Sequence, residues 1–204
     1  MKKRESSKAR RSQASRTTGE TIVRVSLNLD GDGTGEIDTG IGFFDHMLNL
    51  FARHSGLDLT VAAQGDLHVD GHHTVEDVGI VLGKAIREAL DDKRGIRRYG
   101  HMYLPMDEAL SFCAIDISGR PFLVFQSAFS GSMTGGFATE LTEEFFRAVA
   151  FHAGITLHLR CEYGGNDHHR IESLFKAFGR ALRQAVSVDP DFMEEIPSTK
   201  GVLE

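Results

Sequence analysis

The stretch Gly71-His72-His73-Thr74-Val75-Glu76-Asp77, GHHTVED, returns 96 residues later as Asp167-His168-His169-Arg170-Ile171-Glu172-Ser173, DHHRIES. At that single offset His72 meets His168, His73 meets His169 and Glu76 meets Glu172. Further on, Gly83, Ala85, Arg87 and Ala89 meet Gly179, Ala181, Arg183 and Ala185. One constant offset over so many positions marks an internal duplication. Upstream, Leu59-Thr60-Val61 meets Ile155-Thr156-Leu157 at the same offset, each after a helical segment containing aromatics, 43–54 and 140–153.

Working outward, alternating apolar residues predict strands at 21–30 and 34–38, and 3.6-residue periodicity a helix at 43–54. A strand at 57–64 and a helix at 72–91 complete the first half. The second half repeats the order at 107–118, 121–129, 139–153, 155–162 and 168–187. Asp30-Gly31-Asp32-Gly33 and Gly119-Arg120-Pro121 supply turn chemistry, and Asp91-Asp92-Lys93-Arg94-Gly95 closes the first half. The expected fold is therefore α/β, two duplicated ββαβα halves (about 20–95 and 99–190) in one domain, 17–204.

The chain of 204 residues, 41% of them apolar, can bury a core. No run approaches the ~18 apolar residues of a membrane-spanning helix, and the N-terminus lacks the apolar centre of a secretory signal. The expectation is a cytoplasmic protein with no membrane partner. Cys113 and Cys161, each in an apolar run, fit a reducing compartment and read as two small buried hydrophobes. The net charge of −6 conceals seven Lys or Arg against one Glu in residues 1–16. The acidic remainder argues against nucleic acid as a ligand. The tail 1–16, without apolar residues to offset the entropy of ordering, reads as disordered.

On a helix, residues three or four apart share a face while neighbours diverge by about 100°. His72 and Glu76 can converge, as can His73 and Glu76, but His72 and His73 point apart. Two metal ions, or one shared with another subunit, would use both histidines. Duplication then gives paired half-sites, with imidazole and carboxylate donors that admit Zn, Fe, Ni, Cu or Mn. His46 lies 26 residues before His72, and Glu144 lies 24 before His168. On spacing, His46 and Glu144 can supply one extra ligand to each half-site.

GIGFFDHML at 40–48, GDLHVDGHHTVEDVGIVLGKA at 65–85, NDHHRIESLFKAFGRALRQA at 166–185 and PSTKGVL at 197–203 together resemble the imidazoleglycerol-phosphate dehydratase family. The resemblance runs from about Glu20 to the C-terminus. It implies a lyase of histidine biosynthesis with two manganese ions (Mn2+) per active site, holding the substrate's imidazole as imidazolate. It also implies a shell of 24 identical subunits with active sites between neighbours. It implies His72, Glu144, His168 and Glu172 as ligands of one ion, and His46, His73, Glu76 and His169 of the other. Some family members have His where this chain has Glu144. Arg98, Arg120, Lys176, Ser198 and Lys200 match phosphate-binding positions, where Arg suits bidentate contact and Lys gives a point charge. Glu20, Glu172 and His54 are the candidates for proton transfer, and Glu20, His46 and His54 for substrate contact. The C-terminal PSTKGVL should then be ordered over the substrate. A di-metal phosphoester hydrolase and a metal-storage protein are the rival readings.

Overall fold

The computed structural model describes residues 9–203. In chain order the elements are β1 (Arg11–Thr17), β2 (Thr21–Asn28), β3 (Gly35–Asp38), α1 (Gly42–Ser55), β4 (Asp58–Gly65) and α2 (His72–Leu90). They are followed by β5 (Tyr99–Met106), β6 (Ala109–Asp116), β7 (Phe122–Gln126), β8 (Met133–Thr134), β9 (Phe137–Ala138), α3 (Leu141–Ala153), β10 (Thr156–Tyr163) and α4 (Asp167–Val186).

Two four-stranded sheets result, ordered β1-β2-β4-β3 and β5-β6-β10-β7, with the same pairing senses: antiparallel throughout except β3 on β4 and β7 on β10. Each half thus carries one strand more than ββαβα. The β8–β9 ribbon has no counterpart in the first half.

The period-2 alternation explains which face is buried. Val23, Val25 and Leu27 of β2 turn inward with Leu59 and Val61 of β4, as do Cys113 and Ile115 of β6 with Leu157 and Leu159 of β10. The four helices fill the space between the inner faces: α2 lies on β1 and β2, α4 on β5 and β6, and across the middle α2 packs on α3 and α1 on α4. Phe44, Phe51, Phe145, Phe146, Phe175 and Phe178 are fully buried in this layer.

The repeated glycines of the sequence are explained by these crossings. A Cβ on Gly83 would meet the Val149 carbonyl oxygen at 2.7 Å and the Ala153 nitrogen at 2.9 Å; one on Gly179 would meet the Phe51 oxygen at 3.0 Å and the Ser55 nitrogen at 3.1 Å. At Gly83 backbones this close admit only hydrogen, and at Gly179 a side chain would need its neighbours to give by a few tenths of an ångström.

Three expectations need correction. Residues 11–16 are not disordered: they form β1, whose amides and carbonyls pair with β2 in register from Arg11↔Asn28 to Thr17↔Ile22. Arg16 reaches Asp77, and Ser12 the Ala85 carbonyl oxygen. Backbone pairing and polar anchors replace the apolar burial whose absence suggested disorder; residues 1–8 of that tail lie outside the described residues. Tyr99–Met106, at the start of the second half and given no element from sequence, is the edge strand β5, and its edge position tolerates Pro105. Cys161 is only partly buried, unlike Cys113, and both are free thiols.

Candidate active site

Two histidines and a carboxylate come together where α1 meets α4. Asn166 caps α4, its side-chain oxygen accepting from the His168 amide at 2.9 Å, which sets the register of the first turn. His168 and Glu172 then share a face one turn apart. His168 Nε2 lies 3.2 Å and His46 Nε2 3.5 Å from Glu172 Oε2. Phe43 stands edge-on to the His168 ring, with centroids 5.1 Å apart.

Burial by itself would raise the Glu172 carboxyl, but the Lys176 ammonium and His168 outweigh it and hold the pKa below its ordinary value. An ionised carboxylate and two imidazoles, each offering one donor atom and all within 4.8 Å of one another, fit a metal of the borderline N/O type.

Within one chain this cluster draws on both expected quartets. His46 joins the histidine of the second repeat rather than His72 and His73 of the first. Glu144 likewise stands beside Glu76, lining a cavity of about 220 Å³ with Arg147 and His152. The helix layer is the reason: α1 packs on α4 and α3 on α2, so each extra ligand crosses to the opposite repeat. Neither quartet expected from the family is assembled within one chain. Glu144 Oε2 is buried without hydrogen-bond geometry and is held by the Arg147 guanidinium.

His73 and His169 turn away from their neighbours, with His72 and His73 rings 6.2 Å apart at 81° and His168 and His169 rings 6.1 Å apart at the same angle. His73 Nδ1 lies 3.0 Å from Asp66 Oδ2 and 3.8 Å from Glu20 Oε2. His169 Nδ1 lies 2.7 Å from Glu108 Oε2. Donating to Asp66 raises the His73 pKa and donating to Glu108 raises that of His169, while Glu108 is lowered to about 2. A carboxylate on Nδ1 leaves Nε2 as the outward donor atom.

Asp66 and Glu108 were not among the residues singled out from sequence. Glu108 had a signal: it precedes β6 as Glu20 precedes β2, at the turn of the first hairpin of its half. His72 itself lines a cavity of about 500 Å³ with Asp70, Leu67 and Met133 of the β8–β9 ribbon.

Four of the five residues expected at a phosphate site meet. Arg98, Arg120, Ser198 and Lys200 line a cavity of about 590 Å³, together with Ser118 and Tyr99. The Arg98 guanidinium donates to both Asp116 oxygens at 2.7 and 3.1 Å and to the Pro197 carbonyl oxygen at 2.9 Å, and Asp116 raises its pKa further.

Lys176 does not join them: one turn along α4 from Glu172, it pairs with that carboxylate and contacts Met106 Sδ at 3.4 Å. His54, near the end of α1, is depressed in pKa by burial and then by Lys176 and Arg180. The three proton-transfer candidates are therefore dispersed in one chain, with Glu172 in the cluster, Glu20 by His73, and His54 within the field of Lys176.

The family model described as imidazoleglycerol-phosphate dehydratase matches residues 39–182. A protein of that name from Acetivibrio thermocellus is 59% identical over 194 residues, covering 95% of this chain and 99% of the relative. One from Azorhizobium caulinodans is 60% identical, covering 95% and 98%. Crystal structures of the Staphylococcus aureus enzyme (47% identity, TM-score 0.80, covering 88% of this chain and 99% of that one) and of the Pyrococcus furiosus enzyme in complex with (S)-C348 (38%, 0.80, 93% and 99%) share the fold.

Proposed function

The chain belongs to the imidazoleglycerol-phosphate dehydratase family, and from that premise we propose how its residues remove water from D-erythro-imidazole-glycerol phosphate to give imidazole-acetol phosphate in histidine biosynthesis. The enzyme is a hydro-lyase. The observation that carries the reading is that one fold presents both an imidazole–carboxylate cluster, His46, His168 and Glu172, and a cavity furnished with Arg98, Arg120, Ser198 and Lys200.

The substrate's two ends ask for these two chemistries. The phosphate is taken by the arginines, which offer paired donors, and by Lys200. The imidazole end faces the His46, His168 and Glu172 cluster, where two manganese ions would supply Lewis-acid chemistry to the ring. His46, His72, His73, Glu76, Glu144, His168, His169 and Glu172 are the residues that hold them. Since one chain brings only three together, a neighbouring subunit completes the set, in keeping with a 24-subunit shell whose active sites lie between neighbours.

The carbon acid beside the ring is weak, so the base must be ionised and placed. Glu172 is kept ionised by Lys176. Glu20, on an exposed turn beside His73, and His54, whose pKa is lowered by burial and then by Lys176 and Arg180, are the other two proton carriers. A cytoplasmic location follows from the biosynthetic role, and among the described residues no helix is long and apolar enough to cross a membrane.

The reading is tested by assaying metal-stripped protein for imidazole-acetol phosphate with and without added manganese. Manganese-dependent product is the expected result; release of inorganic phosphate instead would support the hydrolase, and metal uptake without turnover the storage protein.

A further inference from the structure

Between α2 and β5 three non-glycine residues, Asp91, Lys93 and Arg98, hold positive φ of 51°, 62° and 70°. Such backbone persists only where surrounding contacts over-determine it. Here those contacts run along the C-terminal segment. Arg94 donates to the Glu194 carbonyl oxygen, the Gly95 amide to that of Glu195 at 2.8 Å, and Arg98 to that of Pro197. Gly95 lies so close to Met193 that a Cβ would meet its carbonyl oxygen at 2.5 Å.

Lys93 extends this grip to the far end of the segment. Its ammonium donates to the Leu203 carbonyl oxygen, and Lys93 and Leu203 are each only 8% exposed. Lysine is rarely buried, because its ammonium gives up water that only hydrogen bonds can replace. The stretch from Pro197 to Leu203 is thus fixed at both ends, by Arg98 and by Lys93. In between, Ser198 and Lys200 form a turn, the Lys200 amide donating to Ser198 Oγ at 3.2 Å and the Gly201 amide to the Ser198 carbonyl oxygen at 3.0 Å. That turn is one wall of the cavity that also holds Arg98 and Arg120, and Lys93 itself does not line it.

We propose that Lys93 is a positioning residue: its buried ammonium latches the end of the C-terminal segment and so holds Ser198 and Lys200 over the cavity. The consequence for anion capture rests on the reading of that cavity as the phosphate subsite; the latch itself does not.

Lys93→Met keeps the apolar stem and removes the donor. With the hydrogen bond to Leu203 lost, trypsin cleavage at Lys200 should quicken at least about tenfold, and the dissociation constant for inorganic phosphate should rise at least about tenfold. Manganese affinity and cleavage elsewhere should be unchanged, KM should rise more than kcat falls, and Lys93→Arg should restore much of the protection. Cleavage at Lys200 no faster than in the parent protein would overturn the latch. Faster cleavage with no phosphate binding even by the parent protein would uphold the latch and remove the phosphate reading. Should Lys93→Met fold poorly, Leu203→Ala unseats the same end and must likewise expose Lys200, or the proposal fails.

Discussion

The two halves of the molecule share a strand order and a helix order, yet their chemistry differs at equivalent places. Where α1 offers His46 to α4, α3 offers Glu144 to α2. The cation beside the first group is Lys176, on the same helix as Glu172; beside the second it is Arg147, on the same helix as Glu144. Below the sites the divergence continues. Asp77 of α2 is buried against Arg16 and Thr21, whereas its counterpart Ser173 of α4 makes a neutral 2.6 Å hydrogen bond to Ser111. Duplication preserved the backbone crossings, which sterics forbid altering, and let the polar groups drift wherever a new partner could be found.

The largest effect separating the halves should come from the metal centre. On the proposed function, in which His46 and His168 contact the ion directly, His46→Ala and His168→Ala should each weaken manganese binding by more than about 100-fold, beyond the 10–100-fold typical of groups that only orient a ligand. Glu144→Ala, which removes a carboxylate already paired with Arg147, should cost less, about tenfold. Titration calorimetry on all three decides; equal losses would mean that the halves are functionally equivalent despite the substitution.

Next in size is the buried polar pair. Asp77→Ala leaves the buried Thr21 hydroxyl without its charged acceptor and the part-exposed Arg16 without its acid, and should destabilise by about 3 kcal/mol, roughly 2 from the first and 1 from the second. Ser173→Ala should cost about 1 kcal/mol, the value of a neutral hydrogen bond. Urea unfolding measures both.

The glycine crossings should differ by less. At Gly83 an added methyl meets backbone on both sides at under 3 Å, so Gly83→Ala should cost about 1 kcal/mol even after the gain in helix propensity of about 1 kcal/mol. At Gly179 the approach is looser by 0.2 to 0.3 Å, and the two terms should nearly cancel. Thermal midpoints would show the inequality, and its reversal would mean that α1 and α4 pack less tolerantly than α2 and α3.

The smallest contrast depends on pH. Asp58 opens β4 and accepts from the Asp32 and Thr34 amides at 2.9 and 3.2 Å, contacts that hold its carboxyl below its ordinary value. Thr156, which opens β10, donates to the Arg120 carbonyl oxygen at 3.1 Å and carries no charge. A lowered carboxyl pKa contributes stability that is present above the unfolded value of 3.8 and is lost as pH falls through the folded value. Asp58→Asn should therefore cost about 1 kcal/mol at neutral pH and progressively less in acid, while Thr156→Val should cost a similar amount at every pH. Unfolding followed from pH 3 to pH 7 separates them.

Much of the architecture was legible because it rests on local signals. Gly56 and Gly154, at φ of 72° and 67°, end α1 and α3 as left-handed caps, and the apolar periodicity of all four helices matches the faces they bury. Strand β1 was not legible, since RSQASRT carries no apolar alternation and is held by backbone pairing and polar anchors. Strand β5 was obscured by Gly100 and Pro105, which punctuate a sequence pattern but are accommodated at a sheet edge. At the site, residue types were legible and partners were not. Lys176 sits where the phosphate motif would place it in sequence, yet its nearest acid is one helical turn away on its own helix.

By itself the sequence determined the duplication, the four helices, the family and the set of donor residues, because periodicity, capping and motif spacing are properties of neighbours along the chain. Which donors meet was decided only by the tertiary structure. Crossing α1 onto α4 and α3 onto α2 sends His46 and Glu144 to opposite repeats, and the contacts that hold the C-terminal segment bring Ser198 and Lys200 to Arg98. Those contacts join residues about a hundred positions apart, and no local pattern specifies them.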